Sequence, residues 1–76
     1  MLRFELDRTR AAALRVYDVA GRLVRSLAVA EWRPMGRQAI PWDGRDGRSR
    51  SLPAGAYRCE LAAGAKRSTR WVTLVK

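Results

Sequence analysis

Residues 14–27, with the sequence LRVYDVAGRLVRSL, predict the fold more strongly than any other part of the chain. Between Leu14 and Tyr17 the side chains alternate in the pattern of a half-buried β-strand. Ala20 and Gly21 then form a natural two-residue turn, because glycine adopts a positive φ without a Cβ clash. An apolar segment resumes after the turn, so this stretch predicts a β-hairpin.

The second arm of the hairpin has a less regular pattern. Leu23, Val24 and Leu27 are spaced imperfectly for a strand, which indicates a β-bulge. The spacing within residues 23–32 also fits a helix, so the sequence alone leaves both structures open for this segment.

Short alternating segments recur on both sides of the hairpin. They lie at residues 2–6, around Ile40 and Trp42, at residues 57–61 and at residues 71–76. Because Pro41 cannot donate a ladder hydrogen bond, the strand at Ile40 should end there or lie at a sheet edge.

The segments between these strands carry turn signals. Residues 8–12, which are first polar and then small, separate the first strand from the next. Residues 63–65 form a candidate hairpin turn. Residues 43–55 contain three glycines and a proline without periodicity, which is typical of a long, turn-rich loop. Strands with turns about every ten residues, and no alternation with helices, predict an all-β antiparallel sandwich of six to seven short strands.

The length of 76 residues limits the chain to a single domain, residues 1–76, and excludes an enzyme with a cleft between two domains. No run of about 18 apolar residues is present to form a transmembrane helix. The predicted core comprises the residues that the patterns turn inward: Phe4, Leu14, Val16, Val24, Leu27, Ile40, Trp42, Tyr57, Cys59, Leu61, Val72 and Leu74.

The composition offers little for catalysis or metal binding. The chain has no histidine, the commonest general base, and its single cysteine excludes an intrachain disulfide. That residue, Cys59, lies between Tyr57 and Leu61 on an apolar face and should be buried and unreactive. Asp43 and Asp46 supply too few oxygen ligands for a calcium loop, although a single monodentate cation stays open. We therefore predict no enzymatic activity, no cofactor and no metal site.

The chain carries 16 Lys and Arg residues against 7 Asp and Glu, a formal charge of +9. Arg3, Arg15, Arg58 and Arg70 are predicted on the outward sides of strands, where they form one stripe if those strands are neighbours. Such a stripe is either a contact surface for an anionic polymer or lipopolysaccharide, or a solvated face that protects sheet edges. We do not expect a nucleic-acid stacking platform, because the core needs most of the aromatic residues.

Five segments occur in an order typical of one family: LRFEL at residues 2–6, LRVYDVAGRLVRSL at 14–27, GRQAIPWDG at 36–44, PAGAYRCEL at 53–61 and VTLVK at 72–76. This order resembles the immunoglobulin-like module shared by the flagellar hook-capping (FlgD-like) proteins and the C-terminal sorting domains of type IX secretion. The most specific parts are YDVAGRLVR, WDG and the small-Gly-x-Tyr step before a strand.

The resemblance implies an immunoglobulin-like sandwich in which the motif residues have structural roles. Tyr17 and Asp18 would lead into the turn at Gly21, and Trp42 would close the end of the core while the next two residues turn the chain outward. Gly55 would permit the start of the following strand. The motif residues are Tyr17, Asp18, Gly21, Trp42, Asp43, Gly44, Gly55 and Tyr57.

The resemblance also implies a non-catalytic secretion, sorting or cell-surface module from the C-terminus of a larger secreted bacterial protein. Its partners would be export or surface machinery and domains of the parent protein, with no small-molecule substrate and no membrane insertion, and we expect a monomer. Because Met1 directly precedes the first strand, we expect either a domain excised from that protein or a truncated gene model. The alternatives are a hook-capping-like assembly module, an adhesive spacer and a small basic nucleic-acid-binding domain.

Overall fold

The computed structural model describes residues 2–75, apart from the side chain of Ala30. These residues form six strands: β1 (Leu2–Leu6), β2 (Arg10–Tyr17), β3 (Leu23–Arg33), β4 (Gly36–Ile40), β5 (Gly55–Ala63) and β6 (Lys66–Leu74). The predicted all-β fold of six to seven short strands is confirmed. The final strand begins earlier than predicted, at Lys66, and Lys76 lies outside the described residues.

The strands form two antiparallel sheets. β1 and β4 form a two-stranded sheet, with Leu2 opposite Ile40 and Leu6 opposite Gly36. The other strands form a four-stranded sheet in the order β3-β2-β5-β6. Burial alternates along β1, β2, β4 and β5, so one face of each sheet points inward. The two inward faces enclose one core, as in an immunoglobulin-like sandwich.

The core lies between the two sheets, and Leu14, Val16 and Cys59 are completely buried in it. Every predicted core residue is either buried in this core or packs against it. The sequence patterns missed several further members: Leu2, Leu6, Ala12, Ala28, Leu52 and Ala63. Half of these are alanines, whose small side chains give a weak periodic signal.

Gln38 of β4 is a buried polar residue that the patterns also missed. Its Nε2 donates to the carbonyl of Pro34 at 2.7 Å and to that of Gly36 at 3.1 Å. These bonds offset the cost of burying an amide. They also hold the short connection between β3 and β4.

Residues 23–33 form a strand, so the helical alternative for this segment is wrong. β3 pairs with β2 from Leu23 opposite Tyr17 to Arg33 opposite Arg10, and the register shifts at three places. Each shift confirms the predicted irregularity. An extra residue reverses the alternation of inward and outward side chains, which explains the imperfect spacing.

Both predicted hairpin turns are present. Gly21 has a φ of +86° between β2 and β3, and Gly64 has a φ of +62° between β5 and β6. The predicted gap at residues 8–12 is shorter than expected, because β2 already begins at Arg10. The Nη1 of Arg10 donates to the carbonyl of Ala63 at 2.8 Å, which fixes the start of β2 against β5.

The two long sides of the sandwich are closed to different degrees. Beside β3, two residues connect β3 to β4 in the other sheet. The loop of residues 41–54 also covers this side, where the N–H of Gly47 donates to the carbonyl of Val24 at 3.0 Å. We call it the sealed side. On the opposite side, β1 and β6 are the edge strands of different sheets and share no ladder over their described lengths. We call it the open side.

Candidate protein interface

The outer face of the four-stranded sheet, which points away from the two-stranded sheet, carries a row of large side chains. The register places Leu23, Tyr17, Arg58 and Trp71 side by side on β3, β2, β5 and β6. Paired residues of an antiparallel ladder project from the same face, so the four side chains form a continuous row. Leu23 is 52% exposed and Trp71 is 61% exposed.

Arg58 lies at the centre of this row and is held on two sides. Its guanidinium lies 4.6 Å from the ring centroid of Tyr17, and its Nη1 lies 3.7 Å from Oε2 of Glu60. Glu60 also accepts a hydrogen bond from Nη1 of Arg67 at 2.9 Å. A cation over an aromatic ring contributes about 0.5–1 kcal/mol at an exposed site. The charge of Arg58 is therefore positioned within the row.

Small side chains lie farther along the same face, beyond Arg15 and Glu60. Ala13 pairs with Ala62 between β2 and β5, and Ala11 pairs with Trp32 between β2 and β3. Trp32 is 73% exposed. The face thus combines exposed aromatic and aliphatic side chains with arginine. Aromatic residues and arginine are enriched in protein–protein interfaces and in their energetic hot spots, so this face is a candidate interface.

The structure does not bring the four arginines of the predicted stripe together. Arg3 lies on the outer face of the two-stranded sheet, since its neighbours in β1 are buried. Arg15 and Arg58 both lie on the outer face of the four-stranded sheet, where Arg15 pairs with Glu60. The stripe is therefore divided between the two sheets, and anion binding by these residues stays a prediction.

Arg70 does not point outward as expected. It pairs with the buried Cys59, so it projects from the inward side of β6. Its guanidinium lies 5.9 Å from the ring centroid of Phe4 in the other sheet. The charge is tolerated because β6 is an edge strand and Arg70 still reaches solvent. The sequence already indicated this orientation, since Arg70 lies two residues before Val72 and four before Leu74 and therefore shares their face of the strand.

Asp18 organises the turn between β2 and β3. Its Oδ1 accepts the N–H groups of Ala20 at 3.0 Å and Arg22 at 2.9 Å, and its Oδ2 accepts Nε of Arg22 at 2.9 Å. The N–H of Gly21 donates to the Asp18 carbonyl at 3.0 Å. These bonds favour the charged carboxylate, so the pKa of Asp18 is lowered, chiefly by the backbone N–H of Arg22.

The same arrangement recurs in the loop between β4 and β5. Asp46 accepts the N–H groups of Arg48 at 2.9 Å and Arg50 at 3.0 Å, together with Nε of Arg50 at 3.0 Å. The pKa of Asp46 is lowered, chiefly by the backbone N–H of Arg50. Ser49 occupies the position that Gly21 has in the first turn, with a φ of +64°. This shared Asp-x-x-x-Arg pattern is visible in the sequence but was not predicted from it.

Arg25 of β3 fastens the second of these turns to the sealed side. Its Nη1 lies 3.2 Å from Oδ1 of Asp43 and donates to the carbonyls of Arg45 at 3.0 Å and Asp46 at 3.3 Å. The Oδ1 of Asp43 also accepts the N–H of Arg45 at 3.0 Å. Among residues 2–75, no group of three or more potential ligand side chains could hold a metal ion.

Trp42 and Tyr57 lie together at one end of the core. Their ring centroids are 5.5 Å apart in an edge-to-face arrangement. The Nε1 of Trp42 donates to the Arg45 carbonyl at 3.1 Å, and the hydroxyl of Tyr57 donates to the Pro53 carbonyl at 2.7 Å. Both aromatic rings therefore fasten the loop to the sandwich.

All three motif glycines, Gly21, Gly44 and Gly55, have positive φ angles. Gly44 has a φ of +74° and is so close to β6 that an added Cβ would lie 2.9 Å from Cδ1 of Leu74. Gly55 has a φ of +149° where β5 begins. The chain passes through these conformations as it leaves β4 and starts β5.

The single thiol is not placed for chemistry. Cys59 is completely buried in β5, and burial raises its pKa to about 11. The thiol therefore stays protonated at neutral pH, whereas the thiolate is the nucleophilic form. Within residues 2–75, no helix is long and apolar enough to cross a membrane.

Comparison with known families agrees with this architecture. The model of the FlgD Ig-like domain matches residues 2–67, which include β1 to β5 and the start of β6. No curated protein and no solved structure matches the chain. The matching family is one of structural domains that interact with proteins. The chain belongs to the FlgD Ig-like domain family.

Proposed function

We propose that this chain is a non-catalytic assembly module that attaches a larger secreted or cell-surface bacterial protein to its export or surface machinery. Docking uses the outer face of the four-stranded sheet. The observation that carries the proposal is the row of Leu23, Tyr17, Arg58 and Trp71, whose two ends are more than half exposed.

Physical considerations support this face as a docking surface. Burying one large apolar side chain contributes about 1.5–3 kcal/mol, so Leu23 and Trp71 together supply a substantial part of a binding free energy. The row is spread over four hydrogen-bonded strands, which limits the entropy lost on docking. Arg58 is already positioned by Tyr17 and Glu60 and needs little further ordering.

Charge on this face favours protein over nucleic acid. Glu60 forms ion pairs with both Arg58 of the row and the nearby Arg67, so it offsets one of their two positive charges. Non-specific nucleic-acid binding draws most of its free energy from basic groups that replace counterions on phosphates. Membership of a family of structural domains also supports an assembly role.

An export assay tests this proposal. The chain is fused behind a passenger protein in the bacterium that encodes it, and the passenger is measured at the cell surface and in the medium. The test variant combines Leu23→Ser with Trp71→Ala. The matched control is Val19→Ser, which removes an apolar side chain that is 74% exposed in the β2–β3 turn, outside the row. Thermal melting of each purified variant establishes that it still folds.

We expect the double variant to reduce the exported passenger about tenfold or more, because losing two buried contacts weakens docking by several kcal/mol. The Val19 variant should export like the wild type. Equal export by all three folded chains would show that the row has no part in export.

A further inference from the structure

We propose that the open side receives an extended acidic strand of a partner protein, which pairs with the free edge of β6. This surface is separate from the outer face of the four-stranded sheet. The inference therefore does not depend on the proposed export role.

The edge of β6 is suited to strand addition because it is long and regular. β6 pairs with β5 over nine consecutive residues, from Lys66 opposite Ala63 to Leu74 opposite Gly55, without a register shift. The opposite edge strand, β3, has three register shifts and is covered by the loop at Gly47. A regular edge with unpaired N–H and C=O groups is a template for another strand, and bulges, covering loops and inward-pointing charges are the usual protections. β6 has no bulge but carries such a charge in Arg70, which an acidic partner strand would neutralise.

Grooves beside β6 leave room for the side chains of an added strand. A groove of about 330 Å³ lies against Leu2, Val72 and Leu74 at one end of the strand. Another of about 220 Å³ lies against Leu6, Lys66 and Ser68 at the other end. Both are bordered by β1 and β6, so inward side chains of an added strand would fall between the two sheets.

Arg70 lies between these two grooves and sets the charge of the open side. Together with Arg3 and Arg37 it borders a third groove of about 300 Å³, where Glu5 is the acidic lining residue. None of these three arginines forms an ion pair with another described residue. A carboxylate on the incoming strand opposite Arg70 would satisfy this charge, with apolar residues opposite Val72 and Leu74.

The same charges disfavour a second copy of this chain on the open side. Two β6 strands paired antiparallel over their full length would bring Arg70 of one copy opposite Arg70 of the other. Like charges that face each other across a ladder are destabilising. Charge complementarity therefore selects an acidic segment from another protein.

Titration with a synthetic strand tests this inference. The probe is the nine-residue peptide Thr-Val-Thr-Val-Thr-Glu-Thr-Glu-Thr, added to the full chain at low salt and followed by amide chemical shifts. A control peptide carries Lys at both Glu positions. Two charge-reversed chains are compared: Arg70→Glu on the open side, and Arg48→Glu on an exposed part of the 41–54 loop.

We expect the acidic peptide to shift amides of β6 and β1 and not those of β3. Arg70→Glu should weaken its binding about tenfold and improve binding of the Lys peptide, whereas Arg48→Glu should change neither by more than about twofold. This exchange of preference separates a specific contact from the attraction of any acid to a basic chain.

Several results would overturn the inference. Equal weakening by Arg48→Glu would mean that only net charge is sensed, and shifts confined to β3 would place the site elsewhere. Dimerisation of the free chain through β6, measured by light scattering, would assign the edge to a second copy. Displacement of the peptide by an oligonucleotide with higher affinity would assign it to nucleic acid.

Discussion

The sealed side and the open side show how one sandwich can protect one sheet edge and leave the other available. On the sealed side, β3 is bulged and its Val24 carbonyl is occupied by Gly47 of the covering loop. On the open side, β6 is regular, the 41–54 loop meets it only at its end near Leu74, and side chains reach across from the rest of it to the other sheet. Lys66 there forms an ion pair with Asp7, and Arg70 lies over Phe4.

This difference shows where stability and binding are located in the molecule. The loop of residues 41–54 is fastened by Arg25, Trp42 and Tyr57, which hold backbone carbonyls by hydrogen bonds. The open side carries Arg70, which has no ion pair among the described residues, and a strand edge that pairs with no other strand. We therefore expect substitutions on the sealed side to change stability, and substitutions on the open side to change binding.

The largest effect is expected from Arg25→Ala, which removes the side chain that holds the 41–54 loop to β3. It leaves the Arg45 and Asp46 carbonyls without this donor. Hydrogen bonds to charged groups contribute about 1.5–3 kcal/mol, so we expect unfolding free energy to fall by about 2 kcal/mol in urea denaturation. Arg48→Ala, at a neighbouring exposed position, is the control and should leave stability unchanged. Equal stability of both variants would show that Arg25 does not stabilise the fold by holding the loop.

Gly44→Ala should weaken the packing of the 41–54 loop against β6. The new Cβ would adopt a φ of +74° and lie 2.9 Å from Cδ1 of Leu74. We expect a loss of about 1–2 kcal/mol in unfolding free energy. Gly21→Ala is the matched control, because Gly21 also has a positive φ, of +86°, and a Cβ there has no neighbour within 4 Å. If the two substitutions cost the same, close packing between the loop and β6 is wrong.

The two Asp-x-x-x-Arg turns predict a smaller effect, in which one substitution raises the unfolding free energy and the reverse substitution lowers it. Ser49 has a φ of +64° where the equivalent residue is Gly21. Ser49→Gly should therefore raise unfolding free energy by about 0.5 kcal/mol, because relief of left-handed strain exceeds the entropy gained by the unfolded chain. Gly21→Ser should lower it. Thermal melts of both variants check the pair, and a loss of stability in Ser49→Gly would show that the turns are not equivalent.

The weakest predicted effect is on pH dependence. The pKa values of Asp18 and Asp46 are lowered in the folded chain by backbone N–H donors, and that of Asp7 chiefly by its hydrogen bond with Lys66. A lowered folded pKa gives stability that is present above the unfolded value of 3.8 and is lost as pH falls through the folded value.

Unfolding curves between pH 6 and about 2 check this, using Asp46→Asn and Asp7→Asn as variants. Both substitutions should reduce the loss of unfolding free energy as the pH falls. Asp46→Asn should reduce it more, because Asp46 accepts several hydrogen bonds while Asp7 pairs with one side chain across the open side. A greater loss of unfolding free energy at low pH in either variant would contradict the lowered pKa values.

Sequence patterns predicted the sandwich because alternation and turn glycines are local signals. The hairpin at Gly21 and the inward row of β5 follow from neighbouring residues alone. The bulged β3 could not be separated from a helix, because its pairing with β2 decides the conformation. The prediction that Arg70 faces outward was wrong. It relied on the charge of the side chain, although Arg70 is two residues before Val72 and therefore lies on the same face of the strand.

The candidate interface depended on register, which the sequence does not contain. Tyr17, Arg58 and Trp71 lie far apart in the chain and become neighbours only through the β2-β5-β6 order. The sealed and open sides likewise result from where the two-stranded sheet ends over the four-stranded one. These are consequences of topology, and local propensity carries little information about them.

Site-specific photo-crosslinking in the organism that encodes this chain tests where partner proteins dock. We expect them to dock on the outer face and the open side and to avoid the sealed side. A photoreactive residue is placed at Trp71 on the outer face, at Ser68 on the open side, or at Arg48 on the sealed side. We expect protein adducts from the first two positions and none from Arg48. Adducts from Arg48 alone, or equally from all three positions, would rule out docking on these two surfaces.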